Sequence, residues 1–173
     1  MPLIIKIITV LSLGYAGLGA LQAAPVAASK AAPAPNGIEL PADYKHWQVV
    51  STSHRTDKHS LRVILGNSIA IHAIQSKQTQ PWPDGAILAK LVWQEKQHPN
   101  WAEAVVAGDL QHVEFMLKDS KKYATTAGWG FARWLGMAQK PFGTDAGFAQ
   151  ECLACHTAVQ ANDFVFTLPA PLP

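Results

Sequence analysis

The pentapeptide Cys152-Leu153-Ala154-Cys155-His156 constrains this chain more than any other stretch. Its C-x-x-C-H spacing is that of covalent haem attachment. Two thiols add to the two vinyl groups of one porphyrin, and two intervening residues supply the span. The histidine that follows at once reaches the iron from the proximal side as axial ligand. The chain has 2 cysteines, and both lie in this motif. A disulfide between them, or a C-x-x-C redox pair, leaves His156 unexplained. No βαβ pattern precedes the motif, as a thioredoxin-like fold would require. Zinc needs about four ligands, and no second cluster of Cys or His supplies them. The expectation is one covalent c-type haem, attached at Cys152 and Cys155, with His156 as the iron ligand.

Haem is joined to such motifs outside the bacterial cytoplasm, so the motif predicts export. The N-terminus agrees. Lys6 is the only early charge, an apolar run follows from Ile7 to about Leu21, and small residues come next in Ala23-Ala24 and Val26-Ala27-Ala28. This is the pattern of a secretory signal peptide over residues 1–28, with cleavage between 23 and 28. An uncleaved anchor is the alternative, although the run is short of the ~20 residues a span needs. The expected location is the periplasm. Residues 29–36 are Ala/Pro-rich and read as a flexible tether. Residues 37–173 have the size of one domain. Formal net charge is +2 with 7 His counted neutral, so charge points to no strong partner. There is no basic stripe with interleaved aromatics, which argues against nucleic acid.

Along the mature chain the signals are mostly those of strands. Leu40 to Tyr44 reads as a turn into a short helix, and Trp47 to Ser53 and Leu61 to Leu65 as strands. Ser68 is placed to cap a short helix with Ile71 and Ile74 on one face. Ala86 to Gln94 is a strand apolar on both faces. Trp101 to Ala107 is ambiguous, and Gly108-Asp109 reads as a turn. From Leu110 to Leu117 the residues alternate, with Val113, Phe115 and Leu117 on one face and His112, Glu114 and Met116 on the other. Gly128 to Trp134 is a Gly-punctuated aromatic strand. Thr144 or Asp145 is placed to cap a helix running through the haem motif to about Val159. Phe164-Val165-Phe166 is a terminal strand candidate. The fold class expected is a mainly β, antiparallel domain with a few short helices and the haem motif on a C-terminal helix.

Three blocks carry a resemblance. They are Trp82-Pro83-Asp84-Gly85-Ala86-Ile87-Leu88-Ala89-Lys90, then Gly128-Trp129-Gly130-Phe131, then Cys152 to His156 followed by Asn162-Asp163-Phe164-Val165-Phe166-Thr167. In that order, with the haem motif last, the chain resembles the cytochrome P-460 family, which includes cytochrome c′-beta. The resemblance covers the chain from about Glu39 to Thr167. It implies an antiparallel β fold, commonly dimeric, in the periplasm. It also implies high-spin haem with His156 as the only protein ligand. Catalytic members oxidise hydroxylamine and carry a Lys covalently joined to the porphyrin. Other members lack the link and bind small gases such as NO or CO. The distal carboxylate of catalytic members is placed just after the Gly-Trp-Gly block. Here that stretch is Phe131, Ala132 and Arg133, a departure that weighs against hydroxylamine oxidation.

The candidate site residues are therefore Cys152, Cys155, His156, Lys90 and Arg133. On its strand Lys90 shares a face with Ala86, Leu88 and Val92, and a Lys between two apolar faces must be paired, neutralised or snorkelled out. A snorkelling Lys at a sheet edge and a Lys against the haem, or joined to it, both stay open. The functional expectation is a monohaem cytochrome with five-coordinate iron, binding or oxidising NO or hydroxylamine and exchanging electrons with an unidentified redox partner. The alternative is a low-spin electron carrier in which Met137 or Met116 supplies a second ligand.

Overall fold

The computed structural model describes residues 31–171. The signal-like run at 1–28 and the first two residues of the tether lie outside them. Six strands form one antiparallel sheet in chain order: β1 (Gln48–Arg55), β2 (Ser60–Gly66), β3 (Ile87–Gln97), β4 (Val105–Lys118), β5 (Trp129–Leu135) and β6 (Lys140–Pro141). Among the described residues two α-helices accompany it, α1 (Ser68–Gln75) between β2 and β3, and α2 (Phe148–His156) after β6. The expected fold class is the observed one.

Strand alternation divides the sheet into two faces. One buries Ala89 of β3, Val113 and Phe115 of β4, and Ala132 and Trp134 of β5. Phe115 meets Tyr44 and Trp134 edge-on, with ring centroids 5.4 and 5.6 Å apart. The N-terminal segment closes this face. The indole N–H of Trp134 donates to the Ala32 carbonyl at 2.8 Å, and the Asn36 amide donates to the Phe131 carbonyl at 2.8 Å. From Ala31 onward, then, the stretch read as a tether is docked. The reason is local: β6 pairs with β5 only at Trp134 and Leu135, which leaves the rest of that edge for Asn36.

The other face carries Leu88, Met116, Trp129 and Phe131, and both helices pack on it. Asn67, one residue earlier than expected, caps α1. Its side-chain oxygen accepts the N–H of Ala70 at 2.9 Å and that of Ile87 at 3.1 Å, so one cap ties the helix to β3. Asp145 takes the Gly147 N–H at 2.7 Å just before α2, which ends at His156 and tightens into a 3-10 helix over Thr157–Asn162.

Two expectations fail. Gly108-Asp109 is not a turn but lies inside β4, where bulges around Trp93 of β3 absorb the irregularity. The reversal falls at 98–104, where the Gln97 amide donates to the carbonyls of Trp101, Ala102 and Ala104. Consequently the outer part of the β3–β4 hairpin, Glu95–Gln97 against Val105–Ala107, runs beyond the last residues paired with β2 and β5. Nor is 164–166 a strand. Asp163 and Phe164 have φ of +49° and +64°, left-handed values that reverse the chain instead of extending it.

Candidate haem site

Helix α2 presents the attachment motif because its inner face is apolar. Phe148 and Ala149 are buried, and Phe148 meets Phe142 edge-on at 6.1 Å. Cys152, one turn on, is half-buried and touches both core clusters. Cys155 is exposed three residues later, and the two thiols are unbridged. Residues three apart are neighbours on a helix surface, so both sulfurs lie along one flank with the histidine at its end.

The imidazole of His156 is fixed through one nitrogen. Its Nδ1–H donates to the Phe164 carbonyl at 2.6 Å, which leaves Nε2 as the nitrogen with a free lone pair. The ring lies between Phe131 and Phe166, with centroids 5.3 and 5.2 Å away. Burial pushes its pKa down, while the bond to Phe164 works the other way. The neutral ring is the form that ligates metal.

Beside the motif, on the same sheet face, lies an ionic row. Lys90, Glu114 and Arg133 are directly opposite one another on β3, β4 and β5. Glu114 pairs with Lys90 through one carboxylate oxygen. Through the other it takes Arg133 Nη2 at 2.5 Å and His112 Nε2 at 3.3 Å. Burial pushes the Glu114 carboxyl up, but Lys90 and Arg133 outweigh it and hold the group below its usual range. Burial also pushes His112 below its usual value. Lys90 and Glu114 act electrostatically on both Cys152 and His156, so row and motif share one neighbourhood.

Lys90 sits on an inner strand and is paired, so the sheet-edge snorkel does not describe it. Arg133 stands where the resemblance placed a carboxylate, and the structure supplies one from the next strand instead, Glu114. Strand alternation had put Glu114 on the face of His112 and Met116. Which residues of β3 and β5 it meets depends on register. Met137, an alternative iron ligand, is 83% exposed on the turn after β5. Met116, the other, packs against the core cluster that holds Leu88 and Phe131.

A porphyrin is a flat apolar disc carrying two carboxylates. On this face Leu88, Met116 and Phe131 form an apolar floor, in which Leu88 and Phe131 are covered by protein and Met116 is half-buried. Next to that floor, Lys90, Arg133 and Arg62 outnumber the single anion Glu114. Arg62 Nε, Arg133 Nε and Ser60 Oγ are buried without a hydrogen-bond partner among the described residues, and all three are on strands of this face. Buried polar atoms are rarely left so, and a bound group with carboxylates fits them.

The sequence model of the family described as Cytochrome P460 matches residues 41–167, well over half of the chain. Among curated proteins, none matches it.

Proposed function

The chain belongs to the cytochrome P460 family, and from that premise we propose that it is an exported, periplasmic single-haem cytochrome that binds a small nitrogen-oxide ligand such as NO. Its family makes it a c-type haem protein. In this reading Cys152 and Cys155 carry the covalent attachment, His156 is the only protein ligand to the iron, and a partner redox protein exchanges electrons with it. The bound haem supplies the open coordination position and the redox chemistry. The chain's own residues orient the ligating imidazole, exclude water with Phe131 and Phe166, and set the charge beside the site.

One observation carries the reading. His156 is committed through Nδ1 to the Phe164 carbonyl, at the end of a helix that presents both thiols. In this reading the iron is five-coordinate: Met137 is exposed on the turn after β5, and Met116 packs with the apolar core. An absorption spectrum of the reduced protein tests it. High-spin bands that shift on adding CO are expected, and sharp low-spin bands indifferent to CO would return the chain to electron transfer alone.

Glu114 favours a second reading, oxidation of hydroxylamine. That reaction releases protons as well as electrons, and a carboxylate beside the site can accept them. Turnover with an artificial electron acceptor separates the two readings, because a binding protein gives none.

A further inference from the structure

The hydrogen bond that orients His156 depends on a backbone held in two ways, by its own turn, in which the Asp163 and Phe164 N–H groups donate to the Gln160 and Val159 carbonyls at 3.0 and 3.1 Å, and by side chains from the sheet. Phe164, whose carbonyl takes the Nδ1–H, follows Asp163, and both are left-handed without being glycine. Such backbone persists only where its surroundings over-determine it. Beyond those turn bonds, the surroundings converge on one residue, Asp163. The Lys118 ammonium, at the end of β4, donates to both carboxylate oxygens of Asp163 at 2.8 and 2.7 Å. The N–H of Trp82, in the loop before β3, donates to the same carboxylate at 2.8 Å. The indole N–H of Trp129, the first residue of β5, donates to the Asp163 main-chain carbonyl at 2.8 Å. Lys118 also stands 4.8 Å over the Trp129 ring. The Lys118 and Asp163 side chains are only 6% and 12% exposed, so the pair is buried and complete.

We infer that Asp163 is a positioning residue for the haem iron: locked by Lys118, Trp82 and Trp129, it fixes the Phe164 carbonyl and through it the direction and basicity of the His156 ligand. The inference rests on His156 being that ligand. A strong bond from Nδ1–H to a fixed acceptor gives the imidazole more anionic character, which strengthens its bond to iron and favours the ferric state. Two elements, β4 through Lys118 and the loop before β3 through Trp82, meet at one carboxylate, and β5 through Trp129 holds the same residue's main-chain carbonyl, so the sheet sets the ligand's electronics from outside the haem pocket.

The test uses holoprotein and two variants. Asp163→Asn keeps an acceptor for Trp82 but removes the charge. Lys118→Gln removes the charge from the other side, and should either variant fail to accumulate, the other carries the test. The reduced wild type is expected to show an iron–histidine stretching band by resonance Raman. In the variants this band moves to lower frequency and broadens, and the midpoint potential rises. A variant that loses thermal stability while keeping both the wild-type band and potential overturns the inference and leaves Asp163 a structural residue. A wild type without any iron–histidine band is not the five-coordinate, His156-ligated haem of the proposed function, and overturns that reading and the inference with it.

Discussion

Lys90 and Glu114 stand directly opposite each other in the β3–β4 register, and their side chains meet as an ion pair on the face against which α2 packs. Arg133 completes the row from β5. The carboxylate therefore has a cation on either side, and the site keeps a positive excess even when Glu114 is ionised.

That excess is measurable with an anionic ligand. Glu114→Gln removes a negative charge while leaving Lys90 and Arg133. Azide affinity of the ferric protein should rise about tenfold, equivalent to ~1.4 kcal/mol, while the affinity of the ferrous protein for neutral CO changes little. If azide affinity is unchanged, Glu114 is too far from the iron to matter. Any hydroxylamine turnover by the wild type should fall in this variant by about 100-fold, the lower end for loss of a general base.

Digestion of the holoprotein followed by mass measurement of the haem peptide addresses Lys90. The amine meets Glu114 as an ion pair, and an ammonium is not a nucleophile. The expected peptide carries haem on Cys152 and Cys155 alone. A peptide that retains the Lys90 segment would show a third attachment and shift the function to hydroxylamine oxidation.

Acid should destabilise the fold in two steps. Burial lowers His112 from its ordinary 6.5, against the pull of Glu114, with Arg133, Lys90 and Arg62 also facing it. The unfolded chain then binds more protons than the folded one as pH falls through the ordinary value, and stability drops there. Glu114 has the same sign lower down: its contribution is present above the ordinary carboxylate range and lost as pH falls through its depressed folded value. Thermal unfolding followed from pH 8 to well below the ordinary carboxylate range should show both steps, and His112→Gln should shrink the upper one, leaving the share of His156, which burial shifts the same way. A variant profile with the upper step undiminished would assign it elsewhere.

The two cysteines should differ in what they contribute to folding. Cys152 touches both core clusters and Cys155 is exposed. Replacing both with Ala should give a poorly folded apoprotein, because a domain of this size gains much by burying its haem. Cys152→Ala alone should lower the melting temperature more than Cys155→Ala. Equal losses would mean that the thioether bonds, not the packing of the thiol, carry the effect.

Much of this was legible in the chain. Alternation from Leu110 to Leu117 assigned the faces of β4 correctly, because a half-buried strand writes its geometry as period two. The C-x-x-C-H spacing was equally plain, and it lies on the C-terminal helix expected for it. Glu114 as the partner of Lys90 and Arg133 was not legible. Faces follow from a strand's own residues, but register follows from turns and bulges, and the turn at 98–104 depends on the Gln97 amide reaching three carbonyls. Phe164 to Phe166 misled for a related reason. Aromatic and β-branched residues favour strands, yet here the Lys118–Asp163 pair overrides propensity and bends the chain to serve His156.

The outer end of the β3–β4 hairpin has a different character from the rest of the sheet. Beyond Glu95, whose N–H and carboxylate are still tied to His59, Lys96–Gln97 and Val105–Val106 pair only with each other among the described strands, and Trp101 is exposed at their turn. Isolated two-stranded ribbons are marginal in water. Its amides should exchange with deuterium through local opening, long before those of Ala89, Val113 or Phe115, which wait for global unfolding. The same two strands thus belong to two cooperative units, a slow one that supports the haem face and a fast one that breathes on its own.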